Sequence, residues 1–326
     1  MKALVRDQYG SPEVLQVQEI EKPELGDKDI LIEVYASSVT AADGFLVKGT
    51  PYFGRLMTGL FKPKQAVPGT GFAGRVAAIG ASVDQFQVGD EVFGESGLNF
   101  GAHAEYLRVQ EEGVIMVKPA QLSFEEAATL CDGPLTSFNF LREIAKIKPE
   151  QEVLINGASG SLGTAAVQLA KYFGAEVTGV SSEKNHSLLK SLGADHVIDY
   201  KTVDFVQAGI EYDFIYDAVG KRSFSECKPA LKKDGVYLSP VLTIRLLLQM
   251  LISGWFGSKK AKFSATGLRP VPVLREMLKD LLILSAEGKL RLIMDKIYPL
   301  DNGVAAHTYV DTGRKVGNVV LRMVQS

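Results

Sequence analysis

The chain has 326 residues, 46% of them apolar and 23% charged, with 36 Lys and Arg against 38 Asp and Glu for a formal charge of -2. About twice a common single-domain length, it is expected to form two domains, and its composition excludes extensive disorder or a fibrous repeat. Balanced charge supplies no basic field for a polyphosphate backbone, which argues against a nucleic-acid partner. The first 120 residues are dense in Gly, Pro and short β-branched runs (KALV, EVLQVQEI, DILIEVYASSV, GRVAAIG, DEVFG, AEYLRV, GVIMVKP), the pattern of a mostly-β domain with partial barrel closure. From about residue 122 the texture changes. Ser123 precedes Glu126 by three positions ahead of an apolar run, a capping-box spacing.

Strands then alternate with helices: strands at 152–156, 175–180, 196–200, 214–220, 235–239 and 260–266, and helices at 162–173, 184–192 and 223–231. This spacing predicts an α/β domain with a doubly wound parallel sheet. The tail reads as a helix over 272–287, a strand, a short helix near 301–312 and a terminal strand NVVLRM, and these pieces fit the first domain better than the sheet. A cleft between the two domains is expected. The greasy stretch VLTIRLLLQMLI (241–252) carries Arg245 and Gln249 and is too short to span a bilayer, so a buried helix or pocket wall is expected there, in preference to a membrane-surface helix. MKALVRDQYG has no apolar central stretch, and two cysteines, Cys131 and Cys227, cannot make a disulfide framework. Together they suggest a cytoplasmic protein with reduced thiols.

The chemistry concentrates where strand VLI enters NGASGSLG (156–163) and then the helix TAAVQLAKYFG. Ala158, Gly160 and Gly163 stand at the G-x-G-x-x-G offsets, with alanine first, and Ser159, Ser161 and Leu162 fill the loop. Gly160 would admit a pyrophosphate close to the backbone, Gly163 would let helix and strand approach, and the helix start supplies N–H groups and partial positive charge. At the end of the next strand, where a carboxylate would select NAD, stands Ser181, followed by Ser182 and Lys184. Hydroxyls and a cation suit a 2′-phosphate, so the cofactor expected is NADPH, although Glu183 lies only two residues beyond the acidic position.

VPGTGFAGRVAAIGASVDQFQVGDEVFG (67–94), GAHAEYLRV (101–109), SLGADHVIDY (191–200), YDAVG (216–220) and AHTYVDTGRKVGNVVL (306–321), with the glycine loop, resemble the medium-chain dehydrogenase/reductase superfamily. Within it the chain is similar to the zinc-independent quinone oxidoreductases. The resemblance implies a GroES-like catalytic domain from residues 1–121 and 267–326, a Rossmann NADPH-binding domain from 122–266, and a homodimer. Zinc enzymes of the superfamily place ligands where this chain has Thr40, Gly69-Thr70-Gly71 and Asp132 beside Cys131, and His103, His186, His196 and His307 are scattered. No zinc is therefore expected.

Without a metal, the expected reaction is hydride transfer from NADPH to a small hydrophobic electrophile, a quinone or an α,β-unsaturated carbonyl, whose anionic product solvent can protonate. The loop VTAADGFLVKGTPY offers Thr40 and Tyr52 as catalytic, pocket-lining candidates and Asp43 as a helix cap. Family position further implies cofactor contacts from Thr136, Tyr200, Val219 with Gly220, Ser239, Phe263 and Ser264, with Arg314 a weaker candidate. Two other functions fit the same residues: an enoyl-thioester reductase, and a catalytically quiet NADPH-binding or redox-sensing protein.

Overall fold

The computed structural model describes residues 1–255 and 257–323. Two units divide the chain: Met1–Asp132, Arg269–Leu278 and Met294–Ser326 form the first, and Gly133–Leu268 with Lys279–Ile293 the second. The first crossing of the chain thus falls after residue 132, where the sequence suggested 121. The difference is helix α3, which lies against the sheet of the first unit.

In chain order the first unit contributes β1 (Lys2–Val5), β2 (Gln16–Glu19), β3 (Asp29–Val39), α1 (Ala41–Lys48), α2 (Arg55–Thr58), β4 (Gly71–Ile79), β5 (Glu91–Glu95), β6 (Tyr106–Gln110), β7 (Val114–Val117) and α3 (Phe124–Leu130). Ile30, Ile32, Val34 and Ala36 alternate along β3 and are fully buried, the period-2 pattern that makes DILIEVYASSV a strand with one face in the core. Ser123 and Glu126 form the capping box that starts α3: Glu126 N donates to Ser123 Oγ at 3.1 Å, and Ser123 N donates to Glu126 Oε2 at 2.9 Å.

The second unit contributes α4 (Gly133–Phe138), β8 (Glu152–Asn156), α5 (Ser161–Tyr172), β9 (Glu176–Ser181), α6 (His186–Ser191), β10 (His196–Asp199), β11 (Tyr212–Asp217), α7 (Phe224–Cys227), β12 (Leu231–Ser239), α8 (Ile244–Trp255) and β13 (Lys260–Phe263). Its six strands are all parallel in the order β10-β9-β8-β11-β12-β13, the doubly wound arrangement whose strand order reverses at β8. The central strand β8 is buried on both faces at Val153, Leu154 and Ile155, which is why it reads as a continuous apolar run. The helix expected over 223–231 is instead a single α turn and a 3-10 turn, because Pro229 removes the donor that would continue it.

After α9 (Val271–Ala286) come β14 (Met294–Pro299), α10 (Gly303–Asp311) and β15 (Asn318–Arg322). β15 pairs antiparallel with β3, so the tail completes the sheet β14-β15-β3-β4-β5-β7 of the first unit. A correction concerns residues 241–252. They do enter a helix, α8, but it is not a buried one: within it only Leu246 and Ser253 are buried, while its leucines on the other face lie exposed. Its apolar residues outnumber those that the sheet can cover. No helix among the described residues is long and apolar enough to cross a membrane.

Candidate functional site

The sheet of the second unit delivers its polar strand ends to one edge, and the glycine turn sits there. Beyond Asn156 the chain turns through Gly157 at φ +79, a left-handed conformation, and a Cβ at that position would strike Val219 Cγ2. Gly157 N and Ala158 N both donate to Val180 O, at 3.1 and 3.0 Å, which ties the turn to β9. Gly160 is the N-cap of α5, with extended backbone and no side-chain bond, so no side chain occupies the start of a twelve-residue helix. That leaves the positive end of the helix dipole for an anion. Behind it, Ser137 Oγ donates to Leu162 O at 2.8 Å, and Gly133 lacks the Cβ that would collide with Ser161, so α4 is held close against the loop.

At the end of β9, Ser181 is buried and its hydroxyl donates to Ser182 O at 3.1 Å. No carboxylate takes the strand-end position. Lys184 is exposed and has no hydrogen bond or ion pair among the described residues, and Tyr200 stands exposed past β10, its N–H donating to Ser181 O at 3.3 Å. Sequence reasoning missed Asn185. This buried amide donates from Nδ2 to Ser159 Oγ at 3.0 Å and to Ser182 Oγ at 3.3 Å, joining the glycine loop to the end of β9. Its position inside the 3-10 turn 183–185 is visible only in three dimensions.

On the other side of β8, Asp217 is fully buried and organises the ends of β11 and β12. Its Oδ1 accepts from Asn156 Nδ2 (2.8 Å), Gly220 N (3.1 Å) and Val219 N (3.3 Å), and its Oδ2 accepts from Arg222 N and Tyr237 Oη, each at 3.0 Å. Tyr237 sits beside this carboxylate in the interior, and burial followed by the negative charge pushes its phenol far up. Ser239, also buried, donates to Asp217 O at 3.3 Å, and Val241 N donates back to Ser239 Oγ at 3.2 Å. A cavity of about 300 Å³ opens beside Gly220 and Ser239. Phe263 ends β13 in register with Ser239, and Asn139 Nδ2 donates to Ser264 Oγ and Thr266 Oγ1, each at 3.0 Å. The predicted residues Ala158 to Gly163, Ser181, Ser182, Lys184, Tyr200, Val219, Ser239, Phe263 and Ser264 therefore all follow the carboxyl ends of strands in one sheet. Thr136 is not at a strand end but on α4, the helix held against the glycine loop, and it is partly exposed.

Thr40 and Tyr52 belong to the first unit. Thr40 caps α1: its hydroxyl donates to Asp43 Oδ2 at 2.7 Å and accepts from Asp43 N at 3.1 Å, while Thr40 N donates to Asp43 Oδ2 at 2.8 Å. The one hydroxyl proton is therefore spent inside the chain, and Asp43 is the cap that its spacing suggested. Tyr52 is 73% exposed on a 3-10 turn, with the Arg55 guanidinium 4.9 Å from its ring centre. The superfamily's zinc positions do not suit the metal here, since Thr40 is committed to its cap and glycines replace side-chain donors. Among the described residues no group of three His, Cys, Asp or Glu could hold a metal ion. His103 and His307 are instead buried on each other, 3.3 Å apart, and burial lowers both, so they stay neutral.

Glu95 is a second residue that sequence reasoning passed over. At the end of β5, opposite Gly71, its carboxyl is pushed up to about 8 by burial first, then by the negative charges of Asp132 and Asp43. The folded state thus keeps a proton that the unfolded chain sheds near its ordinary value, so stability falls as pH rises between about 4.5 and 8. Glu95→Gln is expected to remove that slope, gaining about 2 to 4 kcal/mol over wild type at pH 8 relative to pH 5. Denaturant unfolding at the two pH values checks this, and parallel curves for the two proteins would refute it.

A parallel sheet reversing at β8, with a bare helix start at its carboxyl edge, is the arrangement of a dinucleotide-binding fold. A family model described as an alcohol dehydrogenase GroES-like domain matches residues 26–119, and one described as zinc-binding dehydrogenase matches 192–321. The chain is 32% identical to the 2-methylene-furan-3-one reductase of Solanum lycopersicum, over 99% of this chain and 79% of that protein. It is 31% identical to the chloroplastic quinone-oxidoreductase QR1 of Triphysaria versicolor, over 98% of each. Among solved structures, the quinone oxidoreductase from Coxiella burnetii superposes with a TM-score of 0.89 at 31% identity, covering 99% of both chains. The chain belongs to the medium-chain dehydrogenase/reductase superfamily, in its zinc-independent quinone oxidoreductase branch, and is an enzyme of the oxidoreductase class.

Proposed function

We propose that the chain is an NADPH-dependent, metal-free reductase of quinones or α,β-unsaturated carbonyl compounds. The observation that carries this reading is the pairing of a side-chain-free α5 start at Gly160 with a β9 end that bears hydroxyls in place of an acid and is followed by Lys184, which has no ion pair among the described residues. The residues fit the cofactor. Gly160, Ser161, Leu162 and Gly163 would hold the pyrophosphate on the helix dipole, and Ser181, Ser182 and Lys184, with Tyr200 alongside, would receive a 2′-phosphate. Val219, Ser239, Phe263 and Ser264 would border the nicotinamide end, held in place by Asp217 and Asn139. Bound NADPH supplies the hydride for an electron-poor acceptor. The Solanum lycopersicum and Triphysaria versicolor relatives are a 2-methylene-furan-3-one reductase and a quinone oxidoreductase, whose named substrates are acceptors of this kind. We read the protein further as a cytoplasmic homodimer. Its two buried thiols, Cys131 and Cys227, are raised by burial and thus inert.

A cofactor-oxidation screen over quinones, enones, enoyl thioesters and aldehydes, with NADPH and NADH in parallel, tests the assignment. Turnover with NADPH and a quinone or enone is expected, and binding without oxidation of either nucleotide across the panel would sink it. Lys184→Glu is expected to weaken NADPH at least tenfold, by about 1.4 kcal/mol or more, and NADH little. Equal losses would remove the 2′-phosphate role.

A further inference from the structure

α8 carries two apolar faces where a helix on a sheet needs one. Its inner face packs into the second unit: Leu246 joins the buried core, Met250 lies against it, and Ser253 Oγ accepts from Ala261 N at 3.1 Å. The outer face consists of Ile244, Leu247, Leu248, Leu251, Ile252 and Trp255, spaced 3, 1, 3, 1 and 3 residues apart, and these are between 40% and 84% exposed. Such a stripe runs the full helix, about 18 Å at 1.5 Å per residue. Nothing among the described residues of the second unit covers it.

The charge around the stripe is one-sided. Residues 235–268 hold Arg245, Lys259, Lys260 and Lys262 and not one Asp or Glu, in a chain whose total is -2. Arg245 donates to Ser225 Oγ, Lys259 to Lys228 O, Lys260 to Ser253 O and Lys262 to Ile144 O. These partners are hydroxyl and carbonyl oxygens, so the positive charge is not cancelled. Glu226, in the capping box with Ser223 at the start of α7, keeps its charge and offsets Arg245 in part, which leaves Lys259, Lys260 and Lys262 as the cations with no ion pair among the described residues. A second copy of the same face would bring like charges together. An apolar stripe ending in an exposed Trp and flanked by cations has the make-up of a helix lying in the plane of a lipid–water interface, and it is far too short to span one.

We propose that α8 is a docking face for the surface of an anionic lipid bilayer, with Leu247, Leu248, Leu251 and Trp255 entering the apolar layer and Arg245, Lys259, Lys260 and Lys262 meeting lipid phosphates. The segment is thus not a buried helix, although Val241, Thr243, Leu246 and Gln249 on its inner side line the cavity beside Gly220 and Ser239, and the proposal stands independently of the cofactor assignment.

The test is co-sedimentation of the full chain with vesicles of phosphatidylcholine alone or mixed equally with phosphatidylglycerol. Since each nearby cation is worth about 1 kcal/mol at an anionic surface, partitioning is expected to be at least tenfold stronger on the mixed vesicles and to weaken with salt. Trp255 is the chain's one tryptophan, so its emission reports on this face alone and is expected to shift to the blue on the mixed vesicles. Leu248→Asp and Leu251→Asp alter exposed positions and are expected to keep the fold, by circular dichroism, while losing both signals. Absence of wild-type binding to either vesicle would overturn the proposal. So would binding that survives both substitutions, or a wild-type dimer that Leu251→Asp turns into a monomer with no vesicle binding in either form.

Discussion

Gly160→Asp is expected to leave the protein at least as stable as wild type and to abolish NADPH binding, a loss of at least a hundredfold. Gly160 has φ -80 and extended backbone at the N-cap, and a Cβ there would meet nothing closer than Gly157 O at 3.6 Å, which is ordinary contact. Aspartate is a favoured N-cap and would add a few tenths of a kcal/mol to α5 over glycine. Its carboxylate would then occupy the place, and repel the charge, of the pyrophosphate. Gly163→Ala is expected to act in the reverse order. A Cβ at Gly163 would press on Gly157 O and lie within 2.5 Å of Ala158 Cα, and both are backbone atoms that cannot swing aside. The loss should be about 3 kcal/mol of stability, with cofactor binding failing as the loop is displaced. Denaturant unfolding and a binding titration on both variants read the two effects separately. If Gly160→Asp still bound NADPH, the assignment of the loop would fail, and if Gly163→Ala were as stable as wild type, the close approach of α5 to the turn would be wrong.

Asp217→Ala is expected to cost about 2 to 3 kcal/mol, because it removes the acceptor of several part-buried donors at once. Asn156 Nδ2, Gly220 N and Arg222 N would lose their acceptor together, and the turn carrying Val219 would lose its anchor, while Tyr237 Oη keeps Arg222 O at 2.7 Å. Asp217→Asn keeps one acceptor oxygen in the same place and should cost less than half as much, while Asp217→Ala should also weaken any ligand that leans on Val219 or Ser239. Unfolding midpoints in denaturant decide this. A loss below about 1 kcal/mol for the alanine variant would mean that the donors find other partners, and the carboxylate would not be the organiser of this edge.

Much of this could be read from the chain itself, for local physical reasons. Alternation in DILIEVYASSV, the continuous apolar run of EVLIN and the spacing of Ser123 and Glu126 each specify their own short-range geometry, and the glycine loop is legible because a strand, a tight turn and a helix follow one another without a gap. Asp43 was recognisable as a cap for the same reason. Residues whose role depends on partners far along the chain were not legible. Asn185 reaches Ser159 across 26 positions, Asn139 reaches Ser264 across 125, and Asp217 gathers Asn156 from 61 away. Glu95 looked like an ordinary polar residue at a strand end until Asp132 and Asp43 were placed around it.

The sequence by itself determined the class of each domain, the phosphate loop and the absence of a carboxylate at Ser181, since hydrophobic period, glycine spacing and residue identity are properties of neighbours in the chain. Tertiary structure alone decided which polar groups are already spent and which faces remain open. It committed the Thr40 hydroxyl to Asp43, made Asp217 the holder of two strand ends and turned the outer side of α8 toward solvent. Satisfying a hydrogen bond or burying a leucine requires a partner from elsewhere in the fold, and no local pattern states whether that partner arrives.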